Sequence, residues 1–299
     1  MRAFSWIIIV TVLTLLMTAS VAYPGYLLAH SIDDAWKFHR IASRIAMLIA
    51  LSGVIWVVRR YRLGNRRDLG FAPPTREYLA IASRYFLAGV AMMLPMLALM
   101  FAADLRLPQP DVTYDAAFVV QLVISSIVSG IIVALIEETL FRGVLHAAIE
   151  RDRGAVTAVI ATSLLFAVLH FVGKARVPDV DLHWASGWQW LALTLRLFTR
   201  PGDIVDAFLV YLGIAVLLGA VRSWMGHTAG CVGLHAGWVA AMLVVLKSTD
   251  ANLAAPLAFL QGRFDHFVGW LVFGWTLVMG AAFVIVKRRG LAFARSAPP

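Results

Sequence analysis

The chain has 299 residues, of which 61% are hydrophobic and only 14% charged, and its mean hydropathy is +0.81. Soluble domains carry about 25% charged residues, so this composition excludes a soluble globule and points to an all-α, polytopic membrane bundle. The single cysteine, Cys231, excludes an intramolecular disulfide and a multi-cysteine metal site. Much of the +9 net charge lies in short loops, where it suits membrane orientation and anionic lipid headgroups and calls for no nucleic-acid partner.

In chain order, apolar runs near the roughly 20 residues needed to cross a bilayer core fall at 5–29, 41–58, 79–103, 115–148, 155–172, 203–221, 229–247 and 266–286, about eight spans in all. They read as one integral membrane domain, 1–299. In the first run, Ser20-Val21-Ala22 offers a signal-peptide cleavage site, but the apolar stretch continues to Leu28, which favours an uncleaved helix. Pro95 in the third run predicts a kink and not a break. The fourth run is too long for one perpendicular span and must tilt or protrude. In the long connection at 173–202, Gly187-Trp188-Gln189-Trp190-Leu191 reads as an interfacial helix with aromatic anchors. Arg59, Arg60, Arg62, Arg66, Arg67 and Arg76 in one short loop, with Arg151, Arg153, Arg222 and the tail arginines, place both termini in the cytoplasm. Short loops and compact length suggest a bacterial inner membrane.

The fourth run contains "LIEETLFRGVLH", residues 135–146, with three charged side chains inside apolar sequence. Charges at membrane depth cost several kcal/mol, and such groups are rare and usually functional. Glu138 and Arg142 are spaced i, i+4 with the acid first, which predicts an ion pair along the helix. That pair serves a structural role as readily as a chemical one. Glu137 points about 100° away and is free to meet other helices. The fifth run carries Phe166 and His170 in "LLFAVLHF", and the seventh carries His235 in "CVGLHAGW". Glu137 and His170 lie almost equally far, roughly 25 Å by helical rise, from the basic turn Arg151-Asp152-Arg153. A hairpin would bring both to one level. His235 falls shallower unless its helix tilts or starts late. His146 and His227 read as ordinary polar contacts.

Residue types narrow the chemistry. The chain has no HExxH, no Gly-x-Ser-Gly ahead of a helical histidine, no Gly-x-Gly-Asp and no Gly-rich phosphate loop. A glutamate with two histidines remains.

Three motifs in order on separate spans then become specific. "EETLFR" (Glu137, Glu138, Arg142) fits EExxxR, "FAVLH" (Phe166, His170) fits FxxxH, and "HAGWV" begins at His235. This resembles the CPBP family, which unites CAAX prenyl endopeptidases with bacterial relatives linked to bacteriocin processing and immunity. The resemblance covers about 115–245, the expected catalytic core. It implies a metal-independent intramembrane glutamate protease, without a cofactor, acting on a membrane-bound or amphipathic protein or peptide. By that resemblance Glu137 with His170 activates the attacking water and His235 stabilises the oxyanion, while Glu138, Arg142 and Phe166 shape the site. One position departs: where the family's third motif often ends in asparagine, this chain has Val239, which offers no hydrogen bond. Other readings stay open, namely a membrane scaffold or immunity protein of the same fold, a zinc peptidase using Glu137, His170 and His235, and a proton-coupled transporter.

Overall fold

The computed structural model describes residues 2–110, 112–172, 176–178 and 182–289. It is helical almost throughout: α1 Arg2–His30, α2 Phe38–Tyr61, α3 Thr75–Ala102, α4 Ala116–Glu138, α5 His146–Arg153, α6 Ala155–Leu169, α7 Ser186–Leu197, α8 Val205–Met225, α9 Ala229–Ser248 and α10 Trp270–Arg288. Helices dominate because a backbone in hydrocarbon must satisfy its own polar groups, and a helix does so within one segment. Seven helical stretches among the described residues are long and apolar enough to span, with α4 and α5 forming one continuous stretch, Ala116–Arg153. The protein is an integral membrane protein.

The expected fifth span is shorter than 155–172. Helix α6 has 15 residues, about 22 Å of rise against a hydrocarbon core of about 30 Å. His170 is therefore the residue that caps α6, not a mid-helix side chain. The first helix runs unbroken through Ser20-Val21-Ala22 and buries Ala19 and Ala22 against Phe38, Ala42 and Trp190. Pro95 leaves α3 unbroken. A helix stands at the expected place, α7, but its tryptophans divide: Trp188 is exposed while Trp190 is fully buried against α1 and α2. It is tied into the bundle through Trp190.

Helix α9 is the centre of the bundle, packed between α3 and α4. Small residues let the backbones meet, as apolar solvent offers no hydrophobic drive between helices. A Cβ on Gly89 of α3 would stand 2.6 Å from the Leu234 carbonyl oxygen, and one on Gly130 of α4 equally close to that of Ala236. Helix α4 shows α9 a strip of every fourth residue, Leu122, Ser126, Gly130, Ala134 and Glu138. Its other faces carry exposed Val120, Ile124, Val128, Ile132 and Ile136, suited to lipid. Glu138 thus ends the inward strip.

Two linkages close the ends. At the basic end, Asp68 pairs with Arg151, and Thr228 donates through its amide and its hydroxyl to the Gly70 carbonyl at 2.9 and 3.0 Å. At the other end β1 (Arg106–Pro108) pairs antiparallel with β2 (Thr249–Ala251), joining the loop after α3 to the end of α9. The buried Arg106 guanidinium locks this strand pair by donating to Thr249 Oγ1 at 3.0 Å and to the His266 carbonyl at 3.2 Å.

Candidate active site

Between α4 and α5 the chain forms a π-helix, Thr139–Leu145. Such segments are rare and collect at functional sites, because they break the regular hydrogen-bond ladder. Here the segment begins at the residue after Glu138 and contains Arg142. Arg222 Nε of α8 donates to the Arg142 carbonyl at 2.9 Å, and Arg142 Nη2 donates to the Ala215 carbonyl at 3.2 Å. Helix α8 therefore holds the widened turn from both sides.

Glu138 is the hub of the site and is completely buried. Its Oε1 accepts from Arg142 Nη1 at 3.0 Å and lies 2.8 Å from His235 Nδ1. The expected Glu138–Arg142 pair is present, and Glu138 has a second task that the spacing did not reveal. A carboxylate oxygen accepts, so its contact makes Nδ1 the donor nitrogen of His235 and fixes the ring. The opposite nitrogen, Nε2, then faces Glu137, whose Oε2 is 3.9 Å away. Glu137 is half-buried, where Glu138 has no exposure. The two adjacent acids thus divide into one locked in charge balance and one at the open edge of the cluster.

His170 joins the cluster through aromatic rings. Its Nδ1 lies 2.8 Å from the Phe166 carbonyl, and its ring centroid is 4.2 Å from that of Phe166 and 4.3 Å from that of Tyr211. Phe166, fully buried, connects the parts: the Arg142 guanidinium carbon stands 4.6 Å from its ring centroid, and the His235 ring lies 6.2 Å away. The cation over the ring face contributes about 2 kcal/mol when desolvated.

The depth difficulty for His235 has a structural answer. The start of α9 is tied through Thr228 and Gly70 to the loop whose Asp68 reaches Arg151. Gly143 of the π segment lies against the Leu69 carbonyl of that same loop, so α5 runs on past it and counting from Arg151–Arg153 overstates the depth of Glu137. At this edge His227 is buried, and burial followed by the Arg222 charge holds its pKa below the usual histidine value. His146 is also buried, with Nε2 3.7 Å from Glu150. Arg222, counted in the sequence as an end-of-span charge, and Tyr211 were missed as site residues; neither carries a motif signal.

Val239 is half-buried one turn after His235 and brings no donor to that face. Beside the π segment, a cavity of about 410 Å³ opens between α1, α2 and α6, lined by Val10, Thr14, Val54, Phe141, Leu145 and Leu169 among others. Among the described residues no three His, Cys, Asp or Glu side chains converge as metal ligands, so the geometry lends the zinc reading no support.

Comparison with family models matches residues 119–241 to the type II CAAX prenyl endopeptidase Rce1-like family. Residues 119–241 are a domain of that family. The Rce1-like domain takes in Glu137, Glu138, Arg142, Phe166, His170, Tyr211 and His235. No curated protein and no solved structure matches the chain.

Proposed function

We propose that the protein is an intramembrane endopeptidase that hydrolyses a peptide bond in a membrane-bound or amphipathic protein. The observation that carries this reading is His235, fixed by Glu138 through Nδ1 and turned through Nε2 towards Glu137. In the reaction, Glu137 with His170 takes a proton from water as its oxygen attacks the scissile carbonyl carbon. His235, held by Glu138 through Nδ1, stabilises the oxyanion of the tetrahedral intermediate from its Nε2 side. The carbon–nitrogen bond then breaks and Glu137 returns the proton to the leaving amine. Arg142 supplies the charge that balances Glu138, and Phe166 spaces the two histidines. The apolar cavity beside Phe141 suits an apolar portion of the substrate.

A second reading, a non-catalytic scaffold or immunity protein of the same fold, draws on Val239. Removing one oxyanion donor costs on the order of 100- to 1,000-fold in rate, and a chain without need of turnover can tolerate that loss. The test is a census of new protein N-termini in cells carrying wild-type or Glu137→Gln protein at matched levels. The protease predicts termini that appear with wild type and vanish with the variant, reproduced by purified protein on the corresponding peptides. Identical termini, with a phenotype that Glu137→Gln still rescues, would establish the scaffold instead.

A further inference from the structure

The placing of His170 raises a physical problem that its own helix does not solve. It caps α6, and helix ends fray because their terminal carbonyls lack intrahelical partners. The contacts from its own helix are with Phe166, one turn back: the carbonyl at Nδ1 and the ring at 4.2 Å. Both move with the last turn of α6. Tyr211 supplies a restraint from a different element, the second turn of α8, with its ring 4.3 Å from the imidazole and inclined by 30°. It is seated among Phe171, fully buried at an edge-on 5.8 Å, and residues of two hydrophobic clusters. The far end of the tyrosine reaches Asp265 in the loop before α10, Oη to Oδ2 at 3.5 Å. Asp265 is itself fixed, since its Oδ1 accepts from the amides of Phe267 and Val268 at 3.0 and 2.7 Å.

We infer that Tyr211 is a positioning residue for His170, a ring platform on α8 whose hydroxyl is steadied by the Asp265 loop. This rests on the reading that His170 helps to activate water. A carbonyl only accepts, so the Phe166 contact makes Nδ1 the donor nitrogen and Nε2 the nitrogen that carries the lone pair. Stacking then sets the plane in which the Nε2 lone pair lies. A misplacement of about 1 Å in such a group can cost ~100-fold in rate. Asp265 lies outside the residues matched to the family, so the support for His170 is drawn partly from beyond the Rce1-like domain.

The test uses the full-length protein in detergent micelles, with histidine labelled for ring-proton NMR and the His170 signal assigned by its loss in His170→Gln. A stacked aromatic ring shifts the signal of a proton above its face. Tyr211→Leu is expected to move and broaden the His170 signal. Tyr211→Phe and Asp265→Asn, which keep a ring in place, move it far less. On a peptide found by the N-terminus census, Tyr211→Leu should lower kcat by about 10- to 100-fold with KM little changed, and Tyr211→Phe should recover most of that loss. Should Tyr211→Leu fail to fold, Tyr211→Met, which fills similar space without a ring, takes its place in both measurements. A His170 signal unmoved by either ring-removing variant overturns the inference. So does a moved signal with unchanged kcat while His170→Gln is inactive. If instead His170→Gln cleaves normally, the catalytic reading of His170 fails, and the ring contact, still visible in the spectrum, remains a structural one.

Discussion

At the scale of single residues, Glu138 and Glu137 are chemically identical neighbours with opposite surroundings. Glu138 Oε1 serves Arg142 and His235 together, and none of Glu138 or Arg142 is exposed. Glu138→Gln keeps the shape but leaves the Arg142 guanidinium without its counter-charge, and breaking one partner of a buried pair costs about 3–5 kcal/mol. The expected result is a lower thermal midpoint in detergent for Glu138→Gln and a nearly unchanged one for Glu137→Gln, although both lose cleavage. Glu138→Gln combined with Arg142→Met should recover much of the midpoint without recovering cleavage. Equal melting of both single variants would show that Glu138 is not the hub. Val239 gives a test in the opposite direction. Val239→Asn places an amide one turn after His235, and cleavage is expected to rise by about 10-fold or more, within the range associated with one oxyanion donor. Kinetics on a fixed peptide would check this. An unchanged rate would show that no donor is wanting at that position. Of this site, the Glu138–Arg142 pair was legible because both partners lie on one helix, where spacing alone determines contact. The His235–Glu138 bond was not, because it depends on how α9 is seated against α4, and the motifs contain nothing about that.

At the scale of elements, the site is made by an approach between backbones. Gly130 lets α4 close on α9, and two helical turns further on Glu138 meets His235. Gly130→Ala would set a methyl group against the Ala236 carbonyl and the Ala240 amide, at 2.6 and 3.1 Å before relaxation. Backbone yields less readily than a side chain, so α4 must move outward. Overpacking of this kind costs about 1–3 kcal/mol, and the displacement it causes at Glu138 should lower kcat by ~100-fold. Melting and peptide kinetics on one preparation measure both effects. A variant of normal stability and rate would mean that the helices can adjust without disturbing the site. The spans themselves were largely legible, since length and apolarity report directly on lipid. The boundaries that matter chemically were not. The π segment keeps the residue order of an α-helix and so leaves no mark on the pattern, and α6 stops at Leu169 with His170 as its cap although the apolar run continues to Val172.

At the scale of the whole molecule, the two ends differ in charge and in construction. One end gathers the arginines of residues 59–76, the Arg151–Asp68 pair and Arg222, and the other is closed by the β1–β2 strand pair around Arg106. Arginine-rich short loops tend to remain on the cytoplasmic side of a membrane, so the orientation we propose has Arg67 inside and Asn252 outside. The native thiol, Cys231, is completely buried, so an introduced cysteine can be read over a low background. In sealed right-side-out vesicles, a membrane-impermeant maleimide should label Asn252→Cys at once and Arg67→Cys only after permeabilisation. Inside-out vesicles should reverse the order. The result also bears on substrate access. Glu138 and His235 lie nearer the basic end, because α9 starts there and His235 is within its first two turns. If Arg67→Cys labels only from inside, the scissile bond must reach Glu137 from the cytoplasmic half of the bilayer, and substrates with their cleavage sites near the outer surface drop out of the census. Labelling of Arg67→Cys from outside would invert the molecule and select the opposite set.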